Sequence, residues 1–496
     1  MPRPYPFKRK PYEHQMDGLK FALKNKRVAL LMDPRTGKTK TAIDYLSALS
    51  LAGRLDRAVI VAPARVLDVW VQAFMDDCPV NYHIHIWDAR ARQQPPPKVN
   101  GVYDLSVILI NYEAFSVSGP ELKNAQGKVT GRSKKSGRYK TRQQIERWLE
   151  GRSGAMILDE SHKIKSPSGK TSTMIVSMRA FFEYRLILTG TPITKAKRAF
   201  DIYMQWKFLN PDRFKEWPTA EIFRNHFGVW HDTKQGYKEF KRLQNEDVLT
   251  ERIHLDSFRV KRSDCFDLPP RSERFIRLDL NKSTAMAYDE LAREMVAQIE
   301  HNQRTHTIEA TIALTLTLRL TQITGGFATT PEKNVLPVGR EKLDALDGLF
   351  EETLENDDKM VVAARFKPEM NAIVQLATKR RLPVYEVRGG LTREQTTENI
   401  KRFKDEPGAA VLVMQPQAGG VGIDLSSASH MVWYSLTSSW VDYTQSCDRI
   451  ALSKKATTYT YLLAKGTVDD VLYDVLKDDG EVAESILKDP RKVLRK

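Results

Sequence analysis

Cysteine is scarce in this sequence: Cys78, Cys265 and Cys447 are the only three in 496 residues, and none forms a CxxC pair. Such spacing excludes a disulfide scaffold or a cysteine-based zinc module, and it fits a reducing compartment. Long apolar runs are missing as well, since none approaches the ~20 residues that span a bilayer. No apolar stretch follows the basic N-terminus MPRPYPFKRK, so no secretory leader is expected. The expectation is a soluble, cytoplasmic chain without a membrane partner. Solenoid-type repeats are also absent.

What is present is enough to build cores: 41% hydrophobic and 28% charged residues, with a length suited to two or three domains. Lys and Arg number 78 against 62 Asp and Glu, a formal charge of +16. That excess favours a polyanionic partner, because each cation that meets a phosphate releases a condensed counterion. The basic residues concentrate between Lys123 and Arg152, where ten Lys and Arg stand against Glu146 and Glu150. This stretch reads as a flexible loop followed by a short helix, with Arg132, Lys134, Lys135 and Arg138 as candidate DNA contacts.

Short runs rich in Val and Ile alternate with helical patterns. Strands are expected over 28–33, 58–62, 107–110, 155–159 and 185–189, then again over 360–364, 384–387, 410–414, 431–434 and 458–463. Runs this short and this apolar suit parallel sheets covered on both faces. Helical spacing between them gives repeated βαβ units. The predicted fold is therefore α/β, with two tandem doubly wound parallel-sheet lobes and small helical insertions. The first lobe is expected over 1–255, with an insertion at about 195–255. A hinge is expected over 256–281, and a second lobe over 282–496 with an insertion at about 282–340.

Chemistry concentrates where strands end. The first strand runs into Asp33-Pro-Arg-Thr-Gly-Lys-Thr39 and then a helix. This order surrounds a phosphate with backbone N–H groups at a helix N-terminus. Thr36 and Gly37 belong to that loop, Lys38 would reach the β- and γ-phosphates, and the Thr39 hydroxyl would ligate magnesium. Met32 stands where the first glycine of such a loop usually falls. Asp159-Glu-Ser-His162 closes another strand. There Asp159 is placed for magnesium, and Glu160 to orient and deprotonate the attacking water.

Taken in order, Gly37-Lys-Thr39, Asp159-Glu-Ser-His162, Leu188-Thr-Gly-Thr-Pro192, Gly419-Gly-Val-Gly-Ile-Asp424 and Gln445-Ser-Cys-Asp-Arg449 resemble the motifs of superfamily-two helicases. Pro11-Tyr-Glu-His-Gln15, Ser161-His-Lys-Ile-Lys165, Phe258-Arg-Val-Lys-Arg262, Trp440 and Lys465-Gly-Thr-Val-Asp469 resemble its Swi/Snf-type branch. The likeness runs from about residue 8 to 480. It implies two RecA-like lobes, ATP and Mg2+ as cofactors, and largely sequence-independent binding of duplex DNA. By resemblance, Gln15 reads adenine, Gly422 and Asp424 complete the ATP cleft, and Arg449 serves catalysis. His162, Thr189, Thr191 and Gln445 couple hydrolysis to nucleic acid, while Pro63, Arg65 and Lys165 contact DNA. Trp70 lies in the same DNA-tracking segment as Pro63 and Arg65.

Besides Met32, two positions depart from the pattern, and at the first, Lys195, the family often has asparagine. The last motif usually carries a second arginine, the finger on the γ-phosphate, three positions after the first. Here that position is Leu452, followed by Ser453, Lys454 and Lys455. Either Arg449 or a nearby lysine replaces it, or hydrolysis is slow, or the sequence carries a disabling change. The expected activity is an ATP-dependent duplex-DNA translocase, a monomer similar to compact bacterial or phage members of the family. Two alternatives stand beside it. One is a strand-separating or branch-remodelling helicase, including a restriction-type motor. The other is a nucleotide-dependent DNA clamp with little turnover.

Overall fold

The computed structural model describes residues 5–87, 103–116, 121–123, 129–132, 137–152, 154–190, 196–232, 238–265, 270–305, 310–330, 332, 334–417, 423–478 and 493. The chain divides into two units, Met1–Phe266 and Asp267–Lys496.

Seven strands make the first unit's sheet: β1 (Arg27–Met32), β2 (Arg57–Ala62), β3 (Tyr82–Trp87), β4 (Leu105–Asn111), β5 (Gly154–Asp159), β6 (Phe182–Thr189) and β7 (Ser257–Val260). Their order is β7-β1-β6-β5-β2-β4-β3, and every pairing is parallel. Strands β2 and β5 are buried along their whole length, because helices cover both faces of a parallel sheet. The helix Lys38–Leu51 follows β1, and Leu67–Asp77 follows β2. These are the βαβ units expected from the periodicity.

The second unit has six strands: β8 (Arg271–Leu278), β9 (Lys359–Ala363), β10 (Val384–Val387), β11 (Ala410–Met414), β12 (His430–Trp433) and β13 (Thr457–Ala464). They run β8-β13-β12-β9-β11-β10, again all parallel. Helices Lys282–Thr305 and Ala310–Thr324 lie between β8 and β9, followed by an antiparallel pair, Phe327–Thr329 with Val335–Pro337.

The expected hinge over 256–281 is built differently. Its first part supplies β7 to one sheet and its last part supplies β8 to the other, so the division falls between Phe266 and Asp267. The insertion near 195–255 is not helical throughout. Between the helices Ala220–Phe227 and Glu246–His254 it folds back as an antiparallel pair, Gly228–Asp232 with Lys238–Leu243. In the basic stretch, Glu121–Lys123 pairs with Val129–Arg132, and the expected short helix runs from Gly137 to Leu149.

Candidate nucleotide-binding and hydrolysis site

The phosphate loop spans from β1 to the helix Lys38–Leu51, and β7 fixes its first residue. Asp33 N donates to Val260 O at 3.0 Å, and Arg262 N donates back to Asp33 Oδ2 at 2.9 Å. Gly37 has a φ of +92°, and a Cβ built on it would lie 2.1 Å from Gln15 Nε2. Glycine is thus needed both for the left-handed backbone and for the close approach of the helix Glu13–Lys24. Gln15 holds that approach: Nε2 donates to Thr36 O at 3.1 Å and Oε1 accepts from Tyr12 N at 3.1 Å. Met32, in place of the usual glycine, is the buried last residue of β1. Lys38 Nζ donates to the carbonyls of Met32 (2.7 Å) and Asp33 (3.2 Å). Thr36 Oγ1 donates to Asp33 O at 2.8 Å. Thr39 is half-buried in the first turn of the helix.

Two strands across, β5 delivers the acidic pair. Asp159 Oδ2 accepts from Trp70 Nε1 at 2.9 Å, and its main-chain carbonyl accepts from Tyr112 OH at 2.8 Å. Burial, and then the Glu160 carboxylate, push the Asp159 pKa up to about 6, against the pull of the Trp70 N–H and the Lys38 ammonium. The charge of Lys38 therefore acts on Asp159, and the loop and the acidic pair share one electrostatic site. Glu160 has a φ of +53°, a conformation that costs a non-glycine residue ~1–3 kcal/mol and recurs at functional sites. Its Oε2 lies 3.3 Å from His162 Nδ1, off the line of a hydrogen bond. Ser161 Oγ donates to Gln205 Oε1, tying the acidic turn to the helix Ile202–Leu209.

Trp70 departs from the sequence reading, because its side chain turns inward to the acidic pair. Tyr112 was missed altogether; its only signal was a hydroxyl-bearing aromatic just past the apolar run that forms β4. Thr189 is buried at the end of β6, and Thr191 lies outside the described residues. Pro63 follows β2 and opens the short turn Ala64–Val66. Lys165 Nζ stands 3.7 Å from Asp201 Oδ2. The side chains of Arg65, Arg132 and Arg138 lie outside the described residues, as do Lys134 and Lys135 entirely.

In the second unit, Asp424 Oδ2 accepts from Lys404 Nζ at 2.8 Å, and Oδ1 from Ser426 N at 3.2 Å. Gly422 lies outside the described residues. Gln445 is half-buried on the helix Trp440–Cys447. Arg449 is buried, with Nη1 3.4 Å from Ile423 O. It does not share a helix face with Leu452, because the helix stops at Cys447 and both residues lie in the turn beyond it. Lys455 does not stand in for a finger in this arrangement. Its Nζ binds Asp358 Oδ1 at 2.9 Å, beside the first residue of β9 and so at the amino ends of the strands.

Thr39 and Asp159 offer oxygen donors of the kind that magnesium takes, few in number and completed by phosphate and water. Among the described residues no cluster of three or more His, Cys, Asp or Glu forms a metal cage. No helix among them is long and apolar enough to cross a membrane.

A phosphate loop and an acidic pair at the carboxyl ends of one parallel sheet, followed in the chain by a second parallel-sheet unit, define a helicase-like ATPase. The chain belongs to the SNF2-related family: residues 14–325 match the SNF2-related domain, and residues 341–452 match the helicase conserved C-terminal domain. It is similar to the human chromodomain-helicase-DNA-binding protein 6, 21% identical over 93% of this chain and 17% of the relative. It is also similar to the mouse DNA annealing helicase and endonuclease ZRANB3, 23% identical over 68% of this chain and 30% of the relative. The chain thus spans less than a third of the length of either. Among solved structures, it resembles the Sulfolobus solfataricus SWI2/SNF2 ATPase core in complex with dsDNA. That likeness has 19% identity and a TM-score of 0.42, covering 99% of this chain and 98% of the other.

Proposed function

We propose that this chain is a DNA-dependent ATPase that uses hydrolysis to move along duplex DNA without regard to base sequence. The observation that carries the reading is the phosphate-loop lysine acting electrostatically on Asp159 of the acidic pair, two strands away in the same sheet. Magnesium, held by Thr39, Asp159 and the phosphates, would neutralise charge developing on the triphosphate. Lys38 would turn from the Met32 and Asp33 carbonyls to the γ-phosphate. Glu160 would accept a proton from the attacking water, giving ADP and inorganic phosphate. Gln15 has one amide hydrogen and one lone pair beyond those bound to Thr36 and Tyr12, the complement that an adenine edge needs. The names of both relatives mention DNA, and the charge of +16 agrees with such a partner.

A second reading, a nucleotide-gated clamp with slow turnover, is favoured by Leu452 and by the engagement of Lys455 with Asp358. ATP hydrolysis measured without nucleic acid, then with duplex, single-stranded and forked DNA, separates the two. Duplex stimulation is expected, lost in Lys38→Ala together with tight nucleotide binding. Glu160→Gln is expected to bind ATP and not turn it over. Parental turnover in Glu160→Gln would remove this site from consideration.

A further inference from the structure

The nucleotide residues occupy the carboxyl ends of β1, β5 and β6. At the amino ends of the same three strands lies a cleft of about 750 Å3, a volume typical of small-ligand sites. Leu149 and Phe181 line one part of it, and Lys26, Arg27, Arg152 and Arg185 bring four cations. The lining carboxylates are Glu146 and Glu183.

Three of the cations meet an acid: Lys26 with Glu183, Arg27 with Asp212, and Arg152 with Asp56. Arg185 does not. It is 5% exposed, and its Nε donates to Leu209 O at 2.8 Å. Its Nη1 donates to the carbonyls of Arg179 (2.8 Å) and Phe182 (2.9 Å). Among the described residues, Nη2 has no hydrogen-bond acceptor and no carboxylate pairs with the guanidinium. Carbonyl oxygens satisfy N–H groups but leave the net charge in place, and Arg27 and Arg179 add to it. Burial, then those two cations, lower the Arg185 pKa to about 10, with the Asp212 carboxylate opposing them more weakly. A buried cation in that setting is completed by an anion.

We propose that this cleft is a second ligand site for a small organic anion with a flat apolar part, of the nucleoside monophosphate class. Arg185 Nη2, Lys26 and Arg152 would take the phosphate, each donating a charge-assisted N–H to one of its oxygens. The half-buried Phe181 would take the base. The site is separate from the phosphate loop, at the opposite end of the sheet.

Adenosine monophosphate is the probe, titrated calorimetrically into the parent, Gln15→Ala, and the double variant Lys26→Glu/Arg152→Glu. Both reversed residues are about half exposed, at 56% and 53%, so the double variant spares the core; its melting temperature checks this. Adenosine monophosphate lacks the β- and γ-phosphates assigned to Lys38, so the adenine contact assigned to Gln15 is the one that tells the two sites apart. The expected result is binding unchanged in Gln15→Ala and at least ~10-fold weaker in the double variant, matching one lost phosphate contact or more. Adenosine alone and inorganic phosphate alone should each bind at least ~10-fold more weakly than the monophosphate. Four results each overturn the proposal: loss of binding in Gln15→Ala, unchanged binding in the double variant, no binding to the parent, or phosphate binding as tightly as the nucleotide.

Discussion

Trp70 ties the acidic pair to the helix Leu67–Asp77. Its indole is fully buried and donates to Asp159, while its helix starts just after the Pro63 segment that the family resemblance assigns to DNA. Trp70→Phe keeps most of the apolar contact and removes the donor, and a hydrogen bond to a charged group is worth ~1.5–3 kcal/mol. The magnesium concentration for half-maximal ATPase should rise by at least about threefold. Asp159, held near 6, should make parental turnover fall as pH drops through that value, and Trp70→Phe should move this limb upward. A limb left in place would show that the indole does not tune the carboxylate. By resemblance, the position of Leu452 is one where the family carries a cation for the charge of the transition state. Leu452→Arg should raise DNA-stimulated turnover at least ~10-fold, or ~1.4 kcal/mol of barrier, with little change in nucleotide affinity. Lys455→Ala, which only frees Asp358, should leave turnover where it was.

At the scale of elements, the loop after β9 and the start of the helix Lys367–Lys379 enclose Glu369. Ser435 Oγ donates to its Oε2 at 2.6 Å, Phe366 N donates to the same oxygen at 3.1 Å, and burial lifts its pKa to about 7. The folded state therefore keeps this proton between pH 4.5 and 7, where an unfolded glutamate has released it. The stability it contributes is complete below about 4.5 and is lost as pH rises through about 7. Glu369→Gln should narrow the difference in melting temperature between pH 5 and pH 8; an unaltered difference would mean that Glu369 ionises normally. Elements also decide what the sequence could reveal. Central strands such as β2 and β11 are buried on both faces and read as unbroken apolar runs. Strands β3, β7 and β8 were missed, and all three are sheet edges. The string Tyr-His-Ile-His-Ile-Trp of β3 alternates, and β8 is mostly exposed and charged, so neither carries the two-faced signal. The places of the Asp33–Thr39 loop and of Asp159 at strand ends were legible because each directly follows or closes an apolar run. The Trp70 and Tyr112 contacts were not, since they join positions 89 and 47 residues apart.

For the whole molecule, the charge of +16 makes a quantitative demand on DNA binding. Each phosphate neutralised should contribute about −0.9 to the slope of log affinity against log salt. The parent should show a steep slope and little preference among duplex sequences. Replacing Arg132, Lys134, Lys135 and Arg138 with Ala should flatten the slope and weaken all sequences alike; an unchanged slope would remove that segment from the interface. The closing of β7 against β1 has a consequence in time. Arg262 N and the Asp33 carboxylate that it binds are 229 residues apart, and at ~5–20 residues per second translation needs roughly 10–50 s to travel between them. Until then β1 emerges as an apolar strand with an unpaired side, the kind of edge that invites wrong partners. The nascent chain should therefore need shielding over that interval, and the nucleotide loop, among the first segments made, is among the last of its unit to be finished.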